Sequence, residues 1–210
     1  MPRLIVLIFS CLVLAGASCE PADSCDFSVS SLDNPYHATG SQTLAASVDR
    51  QFVVTANVTE NSVSLVRAED FSLVGTLEVG SEPERVVALG NDFVVSLRGE
   101  RGLAHMRVVD GQLKQVRKVS TGAEPIGLVA SEDGTKLFVA VSQSQVVEER
   151  DGSTLEVIRR FAVDHEPRWL ALHPSGQTLY VATGMGGRLV VVDLLDGSSS
   201  EHGLPQIDTF

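Results

Sequence analysis

Three glutamates, Glu82, Glu124 and Glu166, each stand directly before a proline and are spaced 42 residues apart. In a chain of equal units, equal spacing puts such residues at equivalent points of one edge. The three carboxylates are therefore expected around a common mouth, with Arg85, Arg168 and Trp169 beside them. Carboxylates so placed could coordinate a hard cation or attract a cationic ligand, because like charges brought close raise one another's pKa until a counter-ion relieves them. The alternative is a solvated turn residue, repeated because the unit was duplicated. Arg85 and Arg168 would then neutralise their neighbours, although Ile126 and Gly127 occupy that place in the third unit, so no full arginine ring exists.

Other reactive residue types do not assemble. The five histidines contain no His-x-x-x-His pair; His165 precedes Glu166, His173 precedes Pro174, and His37, His105 and His202 are scattered. No Cys-x-x-Cys-His occurs, so covalent c-type haem attachment within this chain is excluded. Gly197-Ser198-Ser199-Ser200 lacks the strand-to-helix elbow that a hydrolase serine needs and is expected to be a loop. Gly184-Met185-Gly186-Gly187 falls between two strands with no helix to follow, so its amides have no dipole to cradle phosphate. It is expected to be a turn. No catalytic residue, cofactor-binding residue or metal ligand is assigned, and no cofactor is expected.

The N-terminus carries a different signal. Arg3 is followed by the apolar stretch Leu4 to Leu14 and the small residues Ala15-Gly16-Ala17-Ser18, which marks residues 1–18 as an export signal. Leu14-Ala15-Gly16-Ala17-Ser18-Cys19 resembles the lipobox of bacterial lipoproteins, in which the cysteine is acylated, except that Gly16 stands where an aliphatic residue is preferred. That resemblance implies lipidation at Cys19; cleavage after Ala17 is the plain secretory alternative. With Cys19 acylated Cys25 is left single, whereas with Cys19 free the two could close a small disulfide. Removing Arg3 leaves 15 basic against 27 acidic residues, a net charge of -12. That charge opposes binding to nucleic acid or to anionic lipid. Membrane contact is expected through the acyl anchor, and the location is the bacterial cell envelope.

Residues 19–39 are a polar tether containing Asn34-Pro35, a turn signal, and Asp26 to Leu32, a weak strand candidate. From Gly40 the repeat takes over, in units of about 40–79, 80–121, 122–163 and 164–205. Val86-Val87-Ala88-Leu89, Gly127-Leu128-Val129-Ala130 and Trp169-Leu170-Ala171-Leu172 occupy one slot. Phe93-Val94-Val95-Ser96, Phe138-Val139-Ala140-Val141 and Tyr180-Val181-Ala182-Thr183 occupy the next. Apolar runs this short, rich in Val and bounded by Gly and Asp, predict strands, four to a unit. In the third unit they are Gly127 to Ala130, Leu137 to Val141, Gln145 to Arg150 and Glu156 to Phe161, and in the fourth the outer strand after Asp196-Gly197 is expected to be absent or poor. The fold class is all-β, a β-propeller of four-stranded antiparallel blades with about four blades present. Ala88, Ala130 and Ala171 would fit the narrow inner wedge and Phe93, Phe138 and Tyr180 the wider gap between blades. Trp169 is expected mainly as core packing.

Gly122-Ala123-Glu124-Pro125, Ser131 to Ala140 and His173-Pro174-Ser175-Gly176-Gln177-Thr178-Leu179-Tyr180-Val181-Ala182-Thr183 resemble the Tyr-Val-Thr-Asn (YVTN) type propeller repeat of surface-layer proteins, and Val54-Thr55-Ala56-Asn57 echoes the tetrad. The resemblance spans Gly40 to Gly197 and implies a parallel with redox propellers such as haem d1 nitrite reductases, whose redox residues have no matching positions here. That family commonly builds seven blades, so the chain is either a partial propeller or a four-bladed ring closed by Asp26 to Leu32. The expected function is a non-catalytic binding or scaffolding module for an unknown protein or polymer. Its rivals are an accessory propeller of a haem or quinone system and a lactonase-type hydrolase.

Overall fold

The computed structural model describes residues 43–204, and the signal segment, Cys19, Cys25, the tether and the Asp26 to Leu32 strand candidate lie outside them. Among the described residues every regular element is a strand. Four antiparallel sheets follow one another along the chain, each in simple sequential order. The first holds β1 (Leu44–Ala46), β2 (Phe52–Asn57), β3 (Ser62–Arg67) and β4 (Leu73–Glu78). The second holds β5 (Pro83–Leu89), β6 (Asp92–Leu97), β7 (Gly102–Val109) and β8 (Gln112–Ser120). The third holds β9 (Pro125–Ala130), β10 (Lys136–Val141), β11 (Val146–Asp151) and β12 (Val157–Ala162). The fourth holds β13 (Pro167–Leu172), β14 (Thr178–Thr183), β15 (Arg188–Asp193) and β16 (Ser199–Gly203). These are the blades that the repeat requires.

Hairpin chemistry explains the strand ends. Gly134 and Gly176 take positive φ, 68° and 69°, in the turns after β9 and β13. Asp133 accepts from the Ser131 hydroxyl and from the amide and hydroxyl of Thr135. Those bonds hold its carboxyl down to about 2. Asp151 is likewise held at about 2 by the Ser153 hydroxyl and the amides of Thr154 and Ser153. Such aspartates fix the turn by bonding the backbone two residues on.

Because side chains alternate across a strand, each inner blade feeds two interfaces. Val86, Phe93 and Val95 pack with Phe52 and Val54 of the first blade. Val87, Val94 and Leu103 turn the other way, onto Leu128, Leu137 and Val139 of the third. Val129, Phe138 and Ala140 then meet Leu170, Leu179 and Val181 of the fourth. Fully burying a side chain of this kind contributes about 1.5–3 kcal/mol. The inner strands stand side by side, β1 against β5, β5 against β9 and β9 against β13.

Among the described residues the four sheets are not closed into a ring and enclose no complete channel, while the Asp26 to Leu32 segment expected to close it lies outside them. Three sequence expectations need correction. Phe93 does not share a position with Phe138 and Tyr180: Val94 pairs with Val87 as Phe138 pairs with Val129 and Tyr180 with Ala171, while Phe93 matches Leu137 and Leu179. Gly90 and Asn91 make a shorter turn than Ser131 to Thr135, and a slip of one residue moves a side chain to the opposite face. By the same pairing Ala171 matches Val129, and Ala130 matches Leu172. Finally, the fourth blade has its outer strand: Ser199–Gly203 pairs with β15, because ladder bonds come from the backbone and an exposed outer strand needs no apolar side chains.

Candidate functional site

The three Glu-Pro steps occupy the same edge of the array, where β5, β9 and β13 begin and β6, β10 and β14 end. The backbone repeats closely there. Glu82, Glu124 and Glu166 have φ of 54°, 59° and 58°. Their carbonyls accept the amides of Arg98, Ser142 and Gly184 at 3.0, 2.8 and 2.8 Å. Each following strand starts at its proline, whose missing donor is harmless at a first strand position. In all three hairpins the pairing register shifts just beyond the proline.

The carboxylates do not repeat in the same way. Glu82 pairs with Arg98 at 3.2 Å, and Arg98 also reaches Glu84 at 3.2 Å. Glu166 pairs with Arg168 at 3.1 Å. Glu124 has no ion pair among the described residues. Arg85 turns its Nη1 to the Glu84 carbonyl at 3.4 Å rather than to Glu82. No three His, Cys, Asp or Glu side chains converge on a metal-sized site among the described residues. What the spacing repeats is a turn, and two of the three charges, those of Glu82 and Glu166, are neutralised locally.

Trp169 departs from the core expectation. It is 44% exposed, on the β13 face turned away from the third blade, beside the Arg168–Glu166 pair. Exposed Met185 lies in the neighbouring β14–β15 turn. The edge thus offers an amphipathic aromatic with a fixed ion pair next to it, the combination that anchors a bound segment at an interface. His165 and His173 are not brought together; His173 Nδ1 bonds the Ser175 hydroxyl at 2.8 Å and its ring sits edge-on to Tyr180 at 6.3 Å.

Sequence reasoning missed Arg98, although it directly follows β6 and must face Glu82 once the hairpin closes. It also missed a buried polar cluster in the second blade. Asp92 accepts from Arg107 Nε and Nη2, both at 2.7 Å, and meets His105 Nε2 at 2.7 Å. Burial pushes the Asp92 carboxyl up, but the bonds from Arg107 and His105 outweigh it and leave it below the usual carboxylate range.

Four-stranded antiparallel blades stacked through shared apolar faces define the class: this is a β-propeller-type array. No protein-family profile matches the chain, and no curated protein matches it in sequence. Solved structures do share its fold. It is similar to hydrazine synthase of Kuenenia stuttgartiensis, with a TM-score of 0.69 and 21% identity over 77% of this chain and 48% of that one. It is similar to a protein from Lactobacillus plantarum, with a TM-score of 0.66 and 16% identity over 79% of this chain and 57% of that one. It is also similar to the dihydro-haem d1 dehydrogenase NirN, with a TM-score of 0.61 and 17% identity over 79% of this chain and 38% of that one. The chain spans about half the length of the structures it matches, and at these identities the likeness concerns the fold.

Proposed function

We propose that this chain is an exported, Cys19-anchored envelope lipoprotein whose YVTN-type propeller blades bind a protein or polymer segment at the Glu-Pro edge without catalysing its conversion. The observation that carries the proposal is the exposed Trp169 beside the Arg168–Glu166 pair, on an edge where Arg98 also neutralises Glu82. A propeller hosts many chemistries, so function is argued from this edge rather than from the fold.

Two experiments test it. Metabolic labelling with radioactive palmitate should mark the full chain and put it in the membrane fraction, and Cys19→Ser should lose both; a labelled Cys19→Ser protein would end the lipoprotein assignment. A photo-crosslinking residue at position 169 should yield a discrete adduct in intact cells, and the same residue at exposed position 71, in the β3–β4 turn at the opposite edge, should not. Equal labelling from both positions, or none from 169, would reject the edge as the binding surface.

A second function is favoured by one finding: similar structures include hydrazine synthase and a dihydro-haem d1 dehydrogenase. The chain would then be the accessory propeller of a haem or quinone system whose cofactor lies outside it. A haem absorbance band that co-purifies with the tagged full chain, and is lost when the tag is omitted, would decide for that function.

A further inference from the structure

The repeat breaks its own pattern at one place. Opposite Val139 and Leu137 of β10, strand β11 carries Glu148 and Arg150. At the same register the fourth blade has Val190 and Val192, and the second has Ala104 and Met106, all buried in blade interfaces. Glu148 is only 1% exposed and Arg150 is buried too. Placing an ion pair where apolar side chains serve is a net cost, because the desolvation penalty offsets the attraction. Where one unit departs from the rule that its siblings obey, a binding role is the first explanation to test.

The cluster opens into a cleft of about 440 Å³ between the β8–β9 link and strands β11 and β12. That volume is within the roughly 300–1,000 Å³ of small-ligand sites. Within it Arg150 is committed: its Nε and Nη2 donate to Glu148 at 2.9 and 2.6 Å, its Nη1 to the Leu155 carbonyl at 2.7 Å and its Nη2 also to the Ser120 carbonyl at 2.8 Å. Arg160 is not. It uses only Nε, on Glu148 at 3.1 Å, and its terminal nitrogens have no partner among the described residues. The side chain is 58% exposed. One carboxylate against two guanidiniums leaves the cleft positive in a chain of net charge -11. Its hydroxyls are already polarised: Ser144 Oγ accepts the Ala123 amide at 2.9 Å, so its proton is free to donate, while Thr121 Oγ1 donates to the Gly122 carbonyl at 2.9 Å and presents lone pairs.

We infer that this cleft binds a small hydroxylated organic acid, with the carboxylate across the free fork of Arg160 and a ligand hydroxyl between Ser144 and Thr121. A planar guanidinium matches a carboxylate in bidentate fashion, and the buried Glu148, held by Arg150, fixes the orientation of the fork. A donor hydroxyl and an acceptor hydroxyl lining one cleft favour a hydroxyl-bearing ligand over a bare anion. This site lies on the same edge, beside Glu124 of the third blade, but shares no lining residue with the Trp169 patch of the fourth and does not depend on it.

The test is calorimetric titration of the full chain, at matched ionic strength, with D-glucuronate, D-gluconate and L-tartrate, and with glucose and inorganic phosphate as controls. The expected result is saturable binding of at least one hydroxy acid, weakened tenfold or more by Arg160→Gln and severalfold by Ser144→Ala. Glucose should give no signal. Arg160 is exposed, so the variant is expected to melt as the parent does, and thermal unfolding of both checks this. The inference is overturned if no hydroxy acid binds, if Arg160→Gln binds as tightly as the parent, or if phosphate binds as well as the hydroxy acids.

Discussion

Gly127 lies against the backbone of Arg168, so close that a methyl group added to it would fall inside the van der Waals shell of the Arg168 carbonyl oxygen. The contact joins β9 to β13 where the third and fourth blades meet at their inner strands. Gly127→Ala should therefore destabilise by about 1–3 kcal/mol, the usual cost of forcing extra volume into a packed interface. Gly75, in the exposed β4, has open space around it. There the same change should be neutral or stabilising by about 0.5–1 kcal/mol, since alanine loses less chain entropy than glycine. Urea unfolding of both variants, followed by the chain's only tryptophan, Trp169, measures the contrast; equal effects would show that the inner strands can move apart freely.

The charged pair in β11 gives a prediction of opposite signs. Glu148→Gln removes the counter-charge of a buried Arg150 and should cost about 3–5 kcal/mol. Replacing both residues with valine copies Val190 and Val192 of the fourth blade and should leave stability unchanged or raise it by about 1–4 kcal/mol. Denaturant unfolding of the single and double variants decides the point. A double variant weaker than the single one would mean that the pair is a structural clasp.

The parts of the fold legible in the sequence are those that depend on interval and alternation. Equal spacing of Glu82, Glu124 and Glu166 implied equal units, and short Val-rich runs implied strands. Register was not legible, because it depends on turn length: the short turn at Gly90 and Asn91 puts Val94, not Phe93, in line with Phe138. The outer strand Ser199–Gly203 was hidden because its pairing is a backbone property. At the candidate site, the interval correctly put the three glutamates on one edge but could not show that Arg98 and Arg168 neutralise two of them. Glu148 was missed because a charge in an alternating strand ordinarily marks the solvent side, and only the stacking of blades turns that side inward.

One acid-sensitive contribution should come from Asp92 in the second blade. With its folded pKa held below the ordinary value of about 3.9, Asp92 contributes stability that is present above that value and lost as the pH falls through the folded pKa. Asp92→Asn should thus be less stable than the parent at pH 7, by about 1.5–3 kcal/mol for lost charge-assisted bonds. The difference should shrink steadily below about pH 4, since protonation weakens the same bonds in the parent. Asp133 and Asp151 titrate in both proteins and cancel. Urea unfolding at pH 7, 4 and 2.5 measures the difference, and a gap that persists undiminished at pH 2.5 would refute the assignment.

The face of the fourth blade turned away from the third carries Tyr180 paired with Val191, Ala182 with Leu189, and the exposed Trp169. The equivalents of Tyr180 and Ala182 in the third blade, Phe138 and Ala140, are buried under the fourth. Half-open apolar side chains of this size, adjoining one another on a flat sheet, should take up a hydrophobic dye such as anilinonaphthalene sulfonate. Tyr180→Lys should reduce the uptake without unfolding the chain, because its neighbour Leu179 points to the opposite face and stays in the core. Dye fluorescence and circular dichroism on the two proteins test this together. If the parent takes up no dye, or Tyr180→Lys takes up as much as the parent, this face is not the open apolar surface argued here.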